Sequence, residues 1–267
     1  MSQSTSATGP STTSLELHQF PCRSDNYCVL VRDAEAGVTA AIDAPDADAV
    51  RSAVDQTGWG LTHILTTHHH ADHTAGNSAL KEAYGCHIVG PAAEQARIPT
   101  LDETVGEGDT FRFGGHTVEV FDTPGHTAGH ISYLFRAARI GFTGDTLFSL
   151  GCGRLFEGDA QTMWQSLAKI RAWPRDTTIY CGHEYTLANA RFALTVDPSN
   201  MALIERAKEI EALREAGKPT LPTTLARELQ TNPFIRPDAP EIRAELGMQS
   251  AEDWEVFAEI RRRKDAA

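Results

Sequence analysis

The chain has 267 residues, of which 41% are hydrophobic and 22% charged, which suits one large globular domain or one large and one small. Its formal net charge of −12 argues against nucleic acid as the main partner, because phosphate binding needs a basic surface. Since it has no run of about 18 apolar residues, we expect no membrane-spanning segment.

The first 14 residues are rich in Ser and Thr and lack both a basic start and an apolar core. This composition predicts a flexible tail and not a signal peptide. The chain has five cysteines, an odd number, and no C-x-x-C pair. Such a set favours free thiols in a reducing compartment, so we expect a cytoplasmic protein.

Strands and helices alternate in the first two thirds of the chain. Short Val-, Leu- and Ile-rich segments between turn residues predict strands at 15–20, 26–31, 38–42, 63–65, 87–89, 111–113, 116–121, 131–135, 139–142 and 177–180. Helix patterns predict helices at 46–57, 74–84 and 161–172. Asp46 or Asp48 would cap the first helix, and Gly58 would end it. This mixture predicts an α/β sandwich.

The pattern changes after Tyr185. Helices are predicted at 187–196, 200–216, 223–230, 241–246 and 250–264, with Pro and Gly between them and no strand of weight. We therefore expect a metal-binding domain over residues 15–185 and a small α-helical C-terminal domain over residues 186–267.

A dense cluster of histidines follows the predicted strand at 63–65, within the run Thr66-Thr67-His68-His69-His70-Ala71-Asp72-His73-Thr74-Ala75-Gly76-Asn77. On an extended segment, the side chains of His68 and His70 leave on the same side. Asp72 and His73 would aim at a second point if the chain turns there. Imidazole and carboxylate are good ligands for borderline metals, so the motif predicts two incomplete metal sites a few Å apart.

Three later segments would complete both sites, because each places a donor after a predicted strand and a tight turn. These donors are His126, Asp145 and His183. A zinc ion takes about four ligands. His126 would join His68 and His70, and His183 would join Asp72 and His73. Asp145 has two carboxylate oxygens and is the natural bridge between two metals.

The other histidines have simpler interpretations. A single histidine is usually a surface or core residue, and we apply that interpretation to His18, His63, His69, His87 and His116. His130 is either a hydrogen-bonding partner behind the site or a core residue.

These residues resemble the metallo-β-lactamase superfamily and, more narrowly, glyoxalase II, the hydroxyacylglutathione hydrolases. The matching segments are 25–27, 67–77, 123–131, 142–148, 151–158 and 181–186. The resemblance implies an αββα sandwich with the metal site at its edge, followed by a helical domain that helps to bind glutathione. It also implies two divalent metal ions per chain. The family metals are zinc, iron and manganese; the donors are compatible with all three, and we expect zinc.

The resemblance implies five substrate contacts: Arg154, Phe156, Tyr185, Arg261 and Lys264. Many members of the family have Lys and Tyr at the first two positions, so Phe156 lacks a hydroxyl that could bind the tripeptide. In the last helix, Arg261 and Lys264 continue the apolar face of Trp254 and Phe257. The pair could bind the carboxylates of glutathione. Alternatively, it is a solvated basic terminus that compensates the helix dipole.

The function that the resemblance implies is hydrolysis of S-D-lactoylglutathione-type thioesters to a 2-hydroxy acid and glutathione, the second step of methylglyoxal detoxification. A water held by the metals of Asp145, Asp72 and His73 would attack as hydroxide. The leaving thiolate, with a pKa of about 8.5, needs little help from an acid. We expect a monomer whose partner is this small molecule, with no nucleic acid or membrane involved.

Several alternatives remain. The nearest is a glutathione persulfide dioxygenase with a single iron, and another is a non-catalytic metal- or glutathione-binding relative. A β-lactamase is less favoured, because Asp145 stands where some secreted lactamases have Cys and no export signal is seen. The acidity disfavours a processing ribonuclease. Residues 151–153, Gly-Cys-Gly, are not interpreted as a nucleophile elbow, because no base accompanies them.

Overall fold

The computed structural model describes residues 14–267. The predicted N-terminal tail lies outside the described residues except for Ser14. Among the described residues, no helix combines the length and the apolar character needed to cross a membrane.

The first half of the described chain forms a mixed six-stranded sheet in sequential order. Its strands are β1 (Glu16–Cys22), β2 (Asn26–Asp33), β3 (Val38–Ile42), β4 (His63–Leu65), β5 (His87–Pro91) and β6 (Glu103–Val105). β1 to β3 are antiparallel, and β3 to β6 are parallel. The parallel connections contain α1 (Ala47–Thr57), α2 (Ala71–Thr74), α3 (Asn77–Tyr84) and a 3-10 helix, Ala92–Arg97.

The second sheet faces the first. It contains β7 (Thr110–Phe113), β8 (His116–Asp122), β9 (Ile131–Phe135), β10 (Ile140–Phe142), β13 (Thr178–Tyr180) and β14 (Thr223–Thr224), in the order β14-β13-β10-β9-β8-β7. A small hairpin of β11 (Leu147–Phe148) and β12 (Gly151–Cys152) follows β10. The helix α4 (Ala160–Arg171) precedes β13.

Alternation along the strands explains the layers. In β2, Val29 and Val31 belong to the core between the sheets, together with Tyr133 and Phe135 of β9. The intervening Leu30 belongs to a separate core beneath α1 and α3. Because successive strand residues point to opposite faces, both faces of this sheet are covered. The expected αββα sandwich is therefore confirmed.

The helical C-terminal unit packs on the outer side of the second sheet. It contains α5 (Thr186–Val196), α6 (Met201–Glu215), α7 (Leu225–Thr231), a 3-10 helix (Pro233–Ile235), α8 (Pro240–Leu246) and α9 (Asp253–Asp265). α9 packs against α4, where the rings of Trp164 and Phe257 lie 6.4 Å apart. The unit thus shares one hydrophobic core with the sandwich.

Most predicted elements appear within a few residues of their expected bounds, and the caps of α1 are those predicted. Asp46 accepts hydrogen bonds from the backbone N–H groups of Asp48 and Ala49, and Gly58 ends the helix with a φ of 69°. Asp46, not Asp48, is therefore the N-cap.

The helix predicted at 74–84 begins later than expected: α3 starts at Asn77, and Thr74 is the last residue of the separate helix α2. Between the two helices, at Gly76, the chain passes so close to α1 that a Cβ would lie 2.9 Å from the nitrogen of Ala47. The predicted absence of strands after Tyr185 is wrong, because Thr223–Thr224 pairs with β13 at the sheet edge. A strand of two residues has no periodicity, so the sequence alone gave no sign of it.

Candidate metal centre

The predicted donors meet at one edge of the sandwich. His68, His70, Asp72 and His73 follow β4; His126 lies between β8 and β9; Asp145 follows β10; and His183 follows β13. Strands of both sheets therefore end at this place, and the connections that follow them carry the donors. Such an arrangement fixes a site on rigid elements.

The first group consists of His68, His70 and His126. The Nδ1 of His70 lies 3.1 Å from the Nε2 of His68 and 3.1 Å from the Nε2 of His126. A tetrahedral ion with ligands at about 2.0–2.1 Å has ligand-to-ligand edges of about 3.3 Å. The three nitrogens are thus spaced as ligands of one metal ion would be.

The second group consists of Asp72, His73 and His183. The two Nε2 atoms of His73 and His183 are 3.3 Å apart. The Oδ2 of Asp72 lies 3.6 Å from the Nε2 of His73 and 3.4 Å from that of His183. These separations are again those of ligands that surround one ion.

The carboxylate of Asp145 lies between the groups. Its Oδ1 is 3.4 Å from the Nε2 of His73, and its Oδ2 is 3.3 Å from the Nε2 atoms of both His126 and His183. Oδ1 is buried and accepts no hydrogen bond from the described residues. A buried, unpaired carboxylate oxygen is costly unless a cation binds it. The residues therefore fit a pair of metal ions that share Asp145.

The far nitrogens of four of these rings are bonded to oxygen atoms, which turns each Nε2 towards the site. The Nδ1 partners are Thr67 Oγ1 for His68 (3.0 Å), Asp43 Oδ2 for His73 (2.8 Å), the Arg154 carbonyl for His126 (2.9 Å) and Asp25 Oδ1 for His183 (3.0 Å). Partners of this kind fix the tautomer and orientation of ligating histidines.

The ionisation of the site favours bound cations. Burial lowers the pKa of His68 and of His126, so their rings are neutral at pH 7 and expose lone pairs. Burial alone would raise the pKa of Asp145, but His73 and His183 outweigh it and hold that pKa well below its usual range. Burial opposes a charge on His73 too, yet Asp145 and Asp43 raise its pKa well above the ordinary value. The two carboxylates thus favour a positive charge at this position, and a metal ion bound by His73 would take the place of that proton.

Sequence reasoning missed Asp43. This buried residue directly follows β3, accepts hydrogen bonds from Thr67 N (2.7 Å) and Thr67 Oγ1 (2.9 Å), and orients His73. Asn26 lies in the matching segment 25–27, and its Nδ2 donates a hydrogen bond to Asp72 Oδ2 over 3.1 Å. An acidic residue directly after a buried strand was the available signal for Asp43.

His130 has the hydrogen-bonding role that was one of its two interpretations. It is fully buried, and its Nε2 accepts a hydrogen bond from the backbone nitrogen of Asp145 over 3.0 Å. Its Nδ1 lies 3.0 Å from the hydroxyl of Thr123. His130 thus holds the turn that carries Asp145.

A cavity of about 550 Å³ opens over the two groups. The five predicted substrate contacts all line it: Arg154, Phe156, Tyr185, Arg261 and Lys264. Phe156 is 61% exposed, and its ring lies 5.2 Å from that of His126. Tyr185 stacks on His183 at 4.7 Å, and burial raises the pKa of Tyr185 to about 12. The cavity therefore combines candidate metal donors, the aromatic rings of Phe148, Phe156 and Tyr185, and three cationic side chains.

Comparison with known proteins gives matches over nearly the whole chain. The model of the metallo-beta-lactamase superfamily matches residues 38–183, and the model described as hydroxyacylglutathione hydrolase C-terminus matches residues 184–267. Proteins named hydroxyacylglutathione hydrolase from Mesorhizobium japonicum and Rhizobium meliloti are 61% and 59% identical. Each alignment covers 94% of this chain and 98% of the relative.

Solved structures agree in fold. A structure of ETHE1 from Myxococcus xanthus is 28% identical with a TM-score of 0.65, covering 92% of this chain and 90% of that one. The BLEG-1 B3 metallo-beta-lactamase is 21% identical with a TM-score of 0.63, covering 83% of this chain and 100% of that one, and it supports the fold alone.

Proposed function

Because the chain belongs to the hydroxyacylglutathione hydrolase family of the metallo-β-lactamase superfamily, we propose that it hydrolyses S-D-lactoylglutathione-type thioesters to a 2-hydroxy acid and glutathione. It is thus a hydrolase, a metal-dependent thioesterase. The observation that carries this proposal is a cavity lined by members of both donor groups and by the cationic residues Arg154, Arg261 and Lys264. Glutathione has two carboxylates, which these cations would bind.

The superfamily binds divalent metals. We propose that each chain binds two ions, with zinc as the expected metal and iron or manganese as the alternatives. His68, His70 and His126 would hold one, Asp72, His73 and His183 the other, and Asp145 both. When bound, such ions would supply a water that ionises near neutral pH and a positive charge for the thioester carbonyl oxygen. A donor set of imidazoles and carboxylates suits each of these metals.

The residues of the chain would orient the substrate around this centre. His70 and Asp72 are partly exposed and line the cavity, so the acyl carbon would approach from their side. Asn26 holds the Oδ2 of Asp72, and His130 holds the backbone of Asp145, which keeps both carboxylates in place during attack. Tyr185, protonated at pH 7, has a hydroxyl that can donate a hydrogen bond to the tripeptide.

The departing thiolate would leave without a dedicated acid. Because the thiol has a pKa of about 8.5, the thiolate is a weak enough base to leave without prior protonation. The cations of Arg154 and Lys264 at the cavity wall would also favour its negative charge.

The competing functions are less well supported. Relatives that are about 60% identical are named hydroxyacylglutathione hydrolase, so a persulfide dioxygenase is not favoured. A non-catalytic relative would be expected to lack a donor, whereas both groups are complete here.

We also propose that the protein works as a cytoplasmic monomer. All five cysteines, which lie within the described residues, are free thiols, as a reducing compartment would leave them. Light scattering tests the monomer.

The decisive experiment is anaerobic hydrolysis of S-D-lactoylglutathione, with metal content measured on the same sample. Rapid turnover with close to two metals per chain would support both the reaction and the shared centre. Absence of turnover with one iron per chain would contradict them, and oxygen uptake with glutathione persulfide would then support the dioxygenase.

A further inference from the structure

The carboxylate of Glu94 lies behind the first donor group. Glu94 comes from the 3-10 helix Ala92–Arg97, outside every motif of the site, and it is 2% exposed. Its Oε2 accepts hydrogen bonds from the backbone nitrogen of His69 (2.5 Å) and from His69 Nδ1 (2.9 Å). Its Oε1 accepts hydrogen bonds from Gly129 N (3.1 Å) and from the hydroxyl of Thr127. One buried carboxylate thus joins two separate loops.

These bonds flank all three donors of the first group. His69 stands between His68 and His70, and Thr127 directly follows His126. Within the described residues, the hydrogen-bond donors to Glu94 therefore come from the two loops that carry His68, His70 and His126. We propose that Glu94 is a positioning residue for the first metal site, which sets the distance between His126 and the pair His68 and His70. This inference rests on the proposed two-metal function.

The chemistry requires a carboxylate. Four donors converge on Glu94, and an ionised carboxylate offers about four acceptor positions. Glutamine has nearly the same shape but one acceptor oxygen. Its NH2 group would face two donors, and buried groups without partners are costly. The substitution would thus release one of the two loops while leaving the volume of the side chain unchanged.

The packing around Glu94 supports a fixed distance. A Cβ at Gly129 would lie 2.5 Å from the Cγ of Glu94 and 2.8 Å from the Cβ of Ala93. The loop that carries His126 therefore approaches the 3-10 helix as closely as glycine permits.

A third metal site is the competing interpretation, because His69, Glu94 and Glu157 form a possible ligand group. Its atoms are already bonded. His69 Nδ1 faces Glu94, while Glu157 pairs with Arg97 over 2.6 Å and accepts from Ala128 N over 2.8 Å. We therefore assign the cluster to positioning.

The test is a zinc competition titration of E94Q with a chromogenic chelator, compared with wild type and D33N. Asp33 is a matched control: it is buried at the far end of β2 from Asn26 and accepts hydrogen bonds from the backbone nitrogens of Glu35, Ala36 and Gly115. We expect E94Q to lower the affinity for one of the two zinc ions by about 10- to 100-fold, the usual effect of removing a hydrogen-bond partner behind a metal ligand. D33N should bind both ions with the affinity of wild type.

A second variant, T127V, keeps the test valid if E94Q misfolds. It removes one of the four hydrogen bonds to Glu94 and should lower the affinity for the same zinc ion to a smaller extent. The proposal would be overturned if E94Q bound both zinc ions with the affinity of wild type, or if E94Q lost affinity for both ions to the same extent. The titration needs no substrate. A wild-type protein without thioesterase activity would therefore contradict the proposed function and leave this result standing.

Discussion

The guanidinium of Arg261 donates a hydrogen bond from Nη1 to the carbonyl oxygen of Cys152 over 3.1 Å. Arg261 is 5% exposed, bonds Asp265 over 2.7 Å and lies above the ring of Phe234 at 5.2 Å. Cys152 is two residues before Arg154. The last helix therefore holds the loop that carries Arg154, and Arg261 has a structural role besides facing the cavity.

Arg261 and Lys264, which are alike in the sequence, should behave differently on mutation. Arg261→Ala should lower the melting temperature as well as raise KM for lactoylglutathione, because it leaves a buried carbonyl unpaired. Lys264→Met keeps the apolar stem that carries the ammonium over Phe192, so it should raise KM roughly tenfold, or ~1.4 kcal/mol, with little effect on stability. Steady-state kinetics and thermal melts measure both. An unchanged KM in both variants would remove them from the substrate site.

Lys264 should make substrate binding sensitive to alkaline pH. Burial, together with the nearby Arg261 and Arg154, lowers the pKa of Lys264 below its ordinary value of 10.5. The ammonium therefore loses its proton at a lower pH than a free lysine, and its attraction for a carboxylate disappears as pH rises through that pKa. KM, measured between pH 7.5 and 10 with correction for spontaneous hydrolysis, should increase. K264R should abolish the increase, since arginine keeps its charge; an identical rise in K264R would contradict the assignment.

A buried ion pair in the helical unit, Arg206 with Glu228, fixes the hairpin beside the cavity. Arg206 also donates to Ser149 Oγ over 2.9 Å, and Glu228 accepts from Leu150 N over 2.8 Å. Arg206→Met would leave the carboxylate buried without its partner, so it should reduce the free energy of unfolding by about 3–5 kcal/mol in urea denaturation.

Arg191→Met is the matched control for that experiment. Arg191 lies 3.8 Å from Glu211 on the exposed surface. Such pairs contribute little, so no measurable change in unfolding is expected. Equal stability losses in the two variants would show that the buried pair has no special role.

Phe156 should affect substrate binding and not folding, because its ring projects into the mouth of the cavity. Phe156→Ala removes an aromatic surface beside His126 and should raise KM without changing the melting temperature. Phe156→Tyr adds a hydroxyl and should lower KM about threefold or more if that group reaches the tripeptide, since a hydrogen bond contributes ~1 kcal/mol. A higher KM in the tyrosine variant would show that the phenyl ring suits this cavity better.

Asparagine variants of Asp145 and Asp72 should differ in the number of metal ions that the protein retains. Asp145 lies between the groups, so Asp145→Asn should weaken both ions. Asp72 belongs to the second group, so Asp72→Asn should weaken one. Metal content after dialysis against a mild chelator measures the difference. Loss of a single ion in Asp145→Asn would contradict a shared carboxylate.

Local patterns determined much of this protein. The spacing of the histidine motif separates His68 and His70 from Asp72 and His73, because side-chain direction along a strand or a turn depends on neighbouring residues. Short segments rich in Val, Leu and Ile between turn residues identified strands such as β2 and β9. The sequence also indicated the caps of α1, Gly58 at its end and Asp46 or Asp48 at its start, and the structure selects Asp46. The predicted donors His126, Asp145 and His183 were recognisable because each follows a predicted strand and a tight turn, which the chain specifies locally.

Tertiary structure alone decided the contacts between distant segments. Glu94 meets His69 and Thr127, Asp43 meets His73, and Arg261 meets Cys152, although 25 to 109 residues separate each pair. No local spacing specifies such partners, because they depend on how strands order themselves in two sheets and how the helices cover them. The edge strand Thr223–Thr224 belongs here too: its two residues become a strand through pairing with β13, not through their own pattern.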